Sequence, residues 1–169
     1  MQTLLMIGTG PDWPSQKLIF KSDHGIDAIG LDILPAFKPD YIRDINRGLP
    51  FSNDTFDEIR IFHVLEHLGG FAPMYPIDNY DFAMNELHRV LKPGGILDIE
   101  VPYWRDDIAV EAAGHIRLFA ENSFINYYSN PYWQEMGQCH FSECISNVIA
   151  ESGRSGENPA RVIKIKLKK

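Results

Sequence analysis

The feature that most restricts this chain is a set of short apolar runs, each stopped by a glycine or an acid. Residues 4–7 stop at Gly8, residues 26–31 stop at Asp32, and residues 96–101 lie between Gly94-Gly95 and Pro102. Runs of this length with such ends predict buried strands. Two weaker runs, 40–43 and 56–64, bring the predicted strands to five. Residues 80–91 carry Phe82, Ala83, Leu87, Val90 and Leu91 mostly at three- and four-residue spacing, which predicts an amphipathic helix. Asp78 or Asn79 is placed to cap it, and Lys92-Pro93 with Gly94-Gly95 to stop it before the fifth strand. A short helix is expected over 15–22 and another over 121–128, and residues 141–149 and 161–167 read as a closing antiparallel pair around the turn-rich stretch 152–159. Strands alternating with helices predict an open α/β sheet with mostly parallel strands. The sheet should be reduced in crossover helices, because residues 33–40 leave too little chain for one.

Composition narrows the function classes. A chain of 169 residues, 44% apolar, suits a single domain over 1–169 with a proper core. The formal charge of −7 disfavours a nucleic-acid partner, since phosphate neutralisation needs a basic surface. Lys164, Lys166, Lys168 and Lys169 form the one basic cluster, and three of them alternate with Ile165 and Leu167, as on the wet face of a final strand. No apolar run approaches the roughly 18 residues of a membrane span, and the first residues lack a positive leader. Two cysteines, Cys139 and Cys144, suit a reducing compartment, so a cytoplasmic protein is expected.

Ligands of open α/β sheets bind at the carboxyl ends of the strands, which directs attention to Gly8-Thr9-Gly10, Asp32, Asp44 and His63. Glycines there let backbone approach a ligand closely. Asp32 follows the glycines by about the 20 residues at which an acid accepts hydrogen bonds from ribose hydroxyls. A dinucleotide fingerprint would need a glycine where Trp13 stands, so a phosphate-free nucleoside fits better than a pyrophosphate. The lack of a Tyr-x-x-x-Lys pair also speaks against a nicotinamide-dependent oxidoreductase.

Three further segments carry a specific resemblance. Gly48-Leu49-Pro50-Phe51-Ser52-Asn53-Asp54-Thr55-Phe56-Asp57, then His63-Val64-Leu65-Glu66-His67-Leu68, then Glu86-Leu87-His88-Arg89-Val90-Leu91-Lys92-Pro93-Gly94-Gly95 stand in this order. Together they resemble the class I S-adenosylmethionine-dependent methyltransferases, over about residues 4–102. The resemblance implies a Rossmann-like fold with S-adenosylmethionine as cofactor. It implies that Gly8, Thr9 and Gly10 pass beneath the methionine and ribose, that Asp32 holds the ribose hydroxyls with Ile33 against the adenine, that Asp44 beside Ile45 faces the adenine amine, and that His63 lies near the sulfonium. The chain departs from the family pattern at Met6, where an acid is usual, at Asp12, where a third glycine is usual, and in beginning at the first strand without N-terminal lid helices.

Methyl transfer needs a base only when the acceptor must lose a proton. His63 and His67, flanking Glu66, are the candidate catalytic residues; the alternative for His67 is a packing role with Glu66 as its partner. The cysteine and histidine spacings match no tetrahedral zinc site, so no metal is expected. Residues 69–79 could form a lid. If extended, His115, Arg117 and Phe119 share a face that could meet an acceptor; the alternative is a loop packed on the sheet. An Asn-Pro-Pro-Tyr-like turn is absent after the fourth strand, which disfavours base methylation. The expected function is methyl transfer to a small-molecule or sugar-type acceptor. The alternative is a reduced cofactor-binding chain that acts beside a partner protein or as a homo-oligomer.

Overall fold

Seven strands build one sheet in the computed structural model: β1 (Thr3–Ile7), β2 (Asp27–Asp32), β3 (Tyr41–Ile42), β4 (Phe56–Phe62), β5 (Leu91–Pro102), β6 (Glu143–Glu151) and β7 (Ala160–Lys168). The structure describes residues 1–69, 78–124, 130, 132, 135, 139–151 and 160–169. The lid expected over 69–79 therefore lies largely, and the turn expected over 152–159 wholly, outside the described residues, as does half of the helix expected over 121–128. The strand order is β3-β2-β1-β4-β5-β7-β6. Strands β1 to β5 run parallel, and β7 is antiparallel to both β5 and β6. This is the expected Rossmann-like α/β sheet, mostly parallel, with an antiparallel C-terminal pair.

Alternation along β1 divides the core in two. Leu4 and Met6 pack with Trp13 and Ala28 on one face. Leu5 and Ile7 join the larger cluster on the other face, with Ile59, Ile61, Leu87 and Val90. Each fully buried aliphatic side chain contributes ~1.5–3 kcal/mol through removal of apolar surface from water.

Helix α1 (Trp13–His24) is longer than the expected 15–22. Pro14 fits its first turn, where no backbone donor is needed, and Gly25 at φ 62° closes it by donating to the Phe20 carbonyl. Trp13 is its sole buried residue and lies against Gly30, where an added Cβ would come within 2.3 Å of the indole. Met6 and Trp13 thus belong to one apolar layer under the sheet, which explains the departure from the family pattern at Met6 and the tryptophan where a dinucleotide fingerprint has glycine.

Helix α2 (Asn79–Val90) covers the other face, and Asp78 caps it by accepting from Tyr80 N. Its buried stripe is Tyr80, Ala83, Met84, Leu87 and Val90. The fifth strand begins at Leu91 rather than at residue 96, because Leu91 is already extended and pairs with Phe56. Pro93-Gly94-Gly95 then forms an irregularity within the strand, with Gly94 at φ 78°, where the register against β4 shifts. The remaining elements among the described residues are short: 3₁₀ turns at Pro35–Phe37, Ile45–Arg47 and Leu65–His67, and the single-turn α3 (Ile108–Glu111).

On β7, Lys164 and Lys166 are exposed between buried Ile163, Ile165 and Leu167, as the alternation requires. They pair with Glu100 and Asp98 on β5. Lys169 does something different: its Nζ donates to the His88 and Leu91 carbonyls (2.9 and 2.8 Å) and so caps the end of α2.

A candidate cofactor cleft at the strand ends

The sheet order reverses between β1 and β4, so a crevice opens at their carboxyl ends. The cleft there measures about 670 Å³. Gly8, Gly10, Asp32, Ile33, Asp44, Ile45, His63 and His67 all line it, joined by Leu34, Phe37, Asn46, Val64 and Leu68 among others. Thr9 does not line it; its side chain turns inward, buried, with Oγ1 3.3 Å from Asp32 Oδ2.

The loop after β1 is shaped by its glycines. Gly8 (φ 73°) donates to the Leu31 carbonyl, and a Cβ there would stand 2.4 Å from Val64 Cγ2. Gly10 (φ 66°) has nothing within 4 Å of the Cβ position, so its backbone borders open cleft. Asp32 ends β2 with its carboxylate held from two sides: Oδ1 accepts from Leu34 N (2.8 Å), and Oδ2 accepts more weakly from Gly10 N (3.4 Å). A carboxylate offers about four acceptor sites, so this one keeps capacity for a ligand while its position is fixed. Asp44 accepts from Asn46 N (2.9 Å), which shapes the 3₁₀ turn, and Asn46 Oδ1 beside it is buried without a hydrogen-bond partner.

The profile of a family described as "methyltransferase domain" matches residues 5–99, more than half of the chain. The chain belongs to the class I S-adenosylmethionine-dependent methyltransferases. S-adenosylmethionine is accordingly its cofactor. No curated protein matches the chain by sequence. Solved structures share its fold. A SAM-dependent methyltransferase from Archaeoglobus fulgidus superposes with a TM-score of 0.68 at 15% identity, covering 99% of this chain and 86% of that one. A chain from the Haloferax volcanii complex between the Trm112 methyltransferase activator and a putative methyltransferase gives 0.65 at 16% identity, covering 98% and 82%. The N-methyltransferase NodS from Bradyrhizobium japonicum WM9, in complex with S-adenosyl-l-homocysteine, gives 0.60 at 16% identity, covering 99% and 77%.

The cleft of this methyltransferase suits an adenosine sulfonium chemically. The fixed carboxylate of Asp32 can accept from hydroxyls, open backbone at Gly10 leaves room for a ligand, and the orphaned Asn46 Oδ1 can accept from an amine. Ile33 and Leu34 are 60% and 49% exposed beside them, apolar surface that a ring would cover. Arg43 also borders the cleft, yet its guanidinium is spent on the Gly48 and Arg47 carbonyls (3.0 and 2.6 Å).

At the far end stand the two histidines. His63 follows β4 with φ 53°, which ends the strand at Phe62 instead of Val64. Its Nε2 lies 3.0 Å from Glu100 Oε1 and its Nδ1 3.4 Å from Glu66 Oε1. The hydrogen bond to Glu100, and next the one to Glu66, raise its pKa to about 9. A ring charged at neutral pH has no lone pair for an acceptor's proton, so His63 offers donors and positive charge rather than a base. His67 places Nδ1 2.9 Å from the Gly114 carbonyl. It packs edge-on against His115, not on Glu66.

The predicted face of His115, Arg117 and Phe119 is divided. Phe119 is buried and stacks on Phe124, with Tyr80 beside it. Arg117 lies over the Tyr80 ring and pairs with Asp78 (2.6 Å). Only His115 approaches the histidine end of the cleft. Sequence reasoning missed Asn46, Phe37 and Glu100. Glu100 had a signal: it pairs in register with Phe62, one residue before His63, on the neighbouring parallel strand.

Proposed function

We propose that the chain transfers the methyl group of S-adenosylmethionine to a small-molecule or sugar-type acceptor, as a single domain over 1–169. The observation that carries this reading is the buried, pre-positioned Asp32 carboxylate bordering a largely apolar cleft. Asp32 accepts from the ribose hydroxyls, with Thr9 steadying it from behind. Gly8 and Gly10 pass beneath the methionine and ribose. Ile33 and Ile45 flank the adenine, whose amine meets Asp44 and Asn46. His63 stands near the sulfonium, and His67 stands on the acceptor side. When bound, the cofactor supplies a methyl carbon already activated for in-line displacement. The protein's contribution is then to hold the acceptor close and aligned. His67 donates Nδ1–H to the Gly114 carbonyl, which leaves its Nε2 lone pair for an acceptor's proton.

Calorimetry tests this directly. Asp32→Ala should weaken S-adenosylmethionine binding by roughly 1–3 kcal/mol, the cost of losing charged hydrogen bonds. Unchanged affinity would remove Asp32 from the site, and no binding by the parent chain would end the reading.

A second reading has one supporting observation. The edge strand β3 exposes Ile42 (61%) and Tyr41 (41%) with no strand beyond it among the described residues, and an open apolar edge invites pairing. A cofactor-binding chain that works beside a partner protein would use such an edge. Cofactor binding without methyl transfer across a panel of acceptors by the isolated chain would favour it. Among the described residues no helix is long and apolar enough to cross a membrane. Cys139 and Cys144 are not disulfide-bonded, in keeping with a reducing compartment such as the cytoplasm.

A further inference from the structure

Glu66 is an unusual group. Its side chain is 1% exposed, and the polar groups nearest its carboxylate among the described residues are imidazoles, His63 Nδ1 at 3.4 Å and His115 Nε2 at 4.0 Å from Oε1. Burying a carboxylate without partners is costly, and proteins normally pair such groups or give them to a metal. His63, tied at its other nitrogen to Glu100, reaches Oε1 only at the long end of hydrogen-bond distance, and Oε2 has no partner among the described residues.

Two imidazoles stand beside it. Ligand atoms from Glu66, His67 and His115 all lie within 4.8 Å of one another. Nδ1 of His67 faces the Gly114 carbonyl at 2.9 Å. A carbonyl only accepts, so that nitrogen carries the proton and Nε2 is left with its lone pair. Ligating histidines characteristically donate their other ring N–H in this way, often to a backbone carbonyl. His115 is 9% exposed, with Nε2 4.0 Å from Glu66 Oε1 and with a buried, unpartnered Nδ1.

The three residues come from two chain segments that are locked together. Ile116 N and Arg117 N both donate to the Glu66 carbonyl (2.9 and 3.1 Å). Arg117 Nε donates to the Leu68 carbonyl (3.3 Å). Gly114 lets the segments approach, since a Cβ there would stand 3.1 Å from His67 Nδ1. The donors are therefore held in place by backbone hydrogen bonds that do not involve their own side chains.

We propose that Glu66, His67 and His115 bind a zinc-class divalent cation. One carboxylate with two imidazoles is a donor set that zinc accepts, leaving a fourth position for water or substrate. Zinc–ligand bonds of about 2.0–2.2 Å require donor atoms roughly 3.4 Å apart in a tetrahedron, so side-chain rotation has only about an ångström to close. His67 borders the cleft, so a cation bound to it would lie beside the cleft. With the His67 Nε2 lone pair committed to the metal, the cation takes over the acid–base part proposed for that ring: a thiol or hydroxyl held at the fourth position would lose its proton to solvent readily. That use of the metal rests on the methyltransferase reading, whereas metal binding itself does not.

The test uses the full chain stripped with a chelator, without cofactor. Calorimetry with zinc chloride should show one equivalent bound, and cobalt chloride should give the visible absorption of a low-coordinate cobalt site. His67→Ala and His115→Ala should each weaken zinc at least tenfold and remove the cobalt bands, while His88→Ala, outside the cluster, keeps both. Binding of S-adenosyl-l-homocysteine by His115→Ala shows that this chain is folded. Absence of zinc binding by the parent chain overturns the proposal, as does zinc affinity that survives in the His67→Ala/His115→Ala double variant. If zinc binds and S-adenosylmethionine does not, the metal site stands and the cofactor reading fails.

Discussion

Gly8 and Gly10 look equivalent in a G-x-G turn, yet their surroundings differ. A methyl group at Gly8 meets Val64 Cγ2 at 2.4 Å, whereas at Gly10 it meets nothing within 4 Å. Both sit at positive φ, where an L side chain costs ~1–2 kcal/mol. Gly8→Ala should therefore carry that backbone cost plus an overpacking cost of ~1–3 kcal/mol. In urea unfolding, Gly8→Ala/Val64→Ala should be more stable than the sum of the two single losses predicts, because the smaller side chain relieves the clash. Simple additivity would show that Val64 is not what Gly8 makes room for. The glycines themselves were readable from their place after a strand. Val64, brought over from the end of β4, was not, because only the sheet order makes the two neighbours. The same holds at the histidine end, where Glu66 and His67 are adjacent in sequence but His115 arrives from a distant segment. No spacing rule for metal ligands spans that distance.

At the scale of elements, the segment 86–95 does more than end a helix. Glu86 accepts from Leu49 N (2.7 Å), and Arg89 donates to the Phe51 and Leu49 carbonyls (2.8 and 3.1 Å) while pairing with Glu86. The Leu49–Pro50–Phe51 turn is thus clasped to α2, which gives two of the resemblance motifs one shared physical purpose. The helix was legible from its apolar period, although Tyr80 and Met84 take core places that were not assigned to them, because burial depends on which turn meets the sheet. A second clasp holds β1, β4 and the start of β5. Asp57 accepts from Lys92 (2.9 Å) and from Thr3 N and Oγ1 (both 2.8 Å). Lys92 first, then Thr3, lowers the Asp57 pKa to about 2. A depressed carboxylate stabilises the fold fully above its unfolded pKa near 3.9 and loses that contribution as pH falls toward its folded value. The side chain is 36% exposed, so solvent screening keeps the effect small. Asp57→Asn should lower stability at pH 6 and flatten the loss between about pH 4 and pH 2 relative to the parent. Equal slopes in urea unfolding across that interval would show that the clasp contributes nothing.

At the scale of the molecule, apolar runs ended by glycine or acid were enough to infer a parallel sheet and to place the ligand at its carboxyl edge. What could not be read was where strands end, because His63 at φ 53° and Pro93-Gly94-Gly95 are set by sheet pairing rather than by local preference. The architecture also implies a thermodynamic coupling. The cleft is lined by the ends of β1, β2 and β4 together with the turns that follow them. These elements come together in the folded sheet, and a ligand touching all of them binds the folded chain and not the unfolded one. At a hundred times its dissociation constant such a ligand adds ~2.7 kcal/mol of stability. For a domain of this size that corresponds to a rise of roughly 5–11 °C in Tm. S-adenosyl-l-homocysteine should produce this shift in the parent chain and a smaller one, at equal concentration, in Asp32→Ala. Nicotinamide dinucleotide should produce none, since Trp13 is buried under the sheet where a third glycine would admit a pyrophosphate, and the Arg43 charge is turned toward backbone carbonyls. A dinucleotide shift equal to that of the homocysteine product would mean that the strand-end cleft reads adenosine alone and leaves the choice of cofactor to residues beyond it.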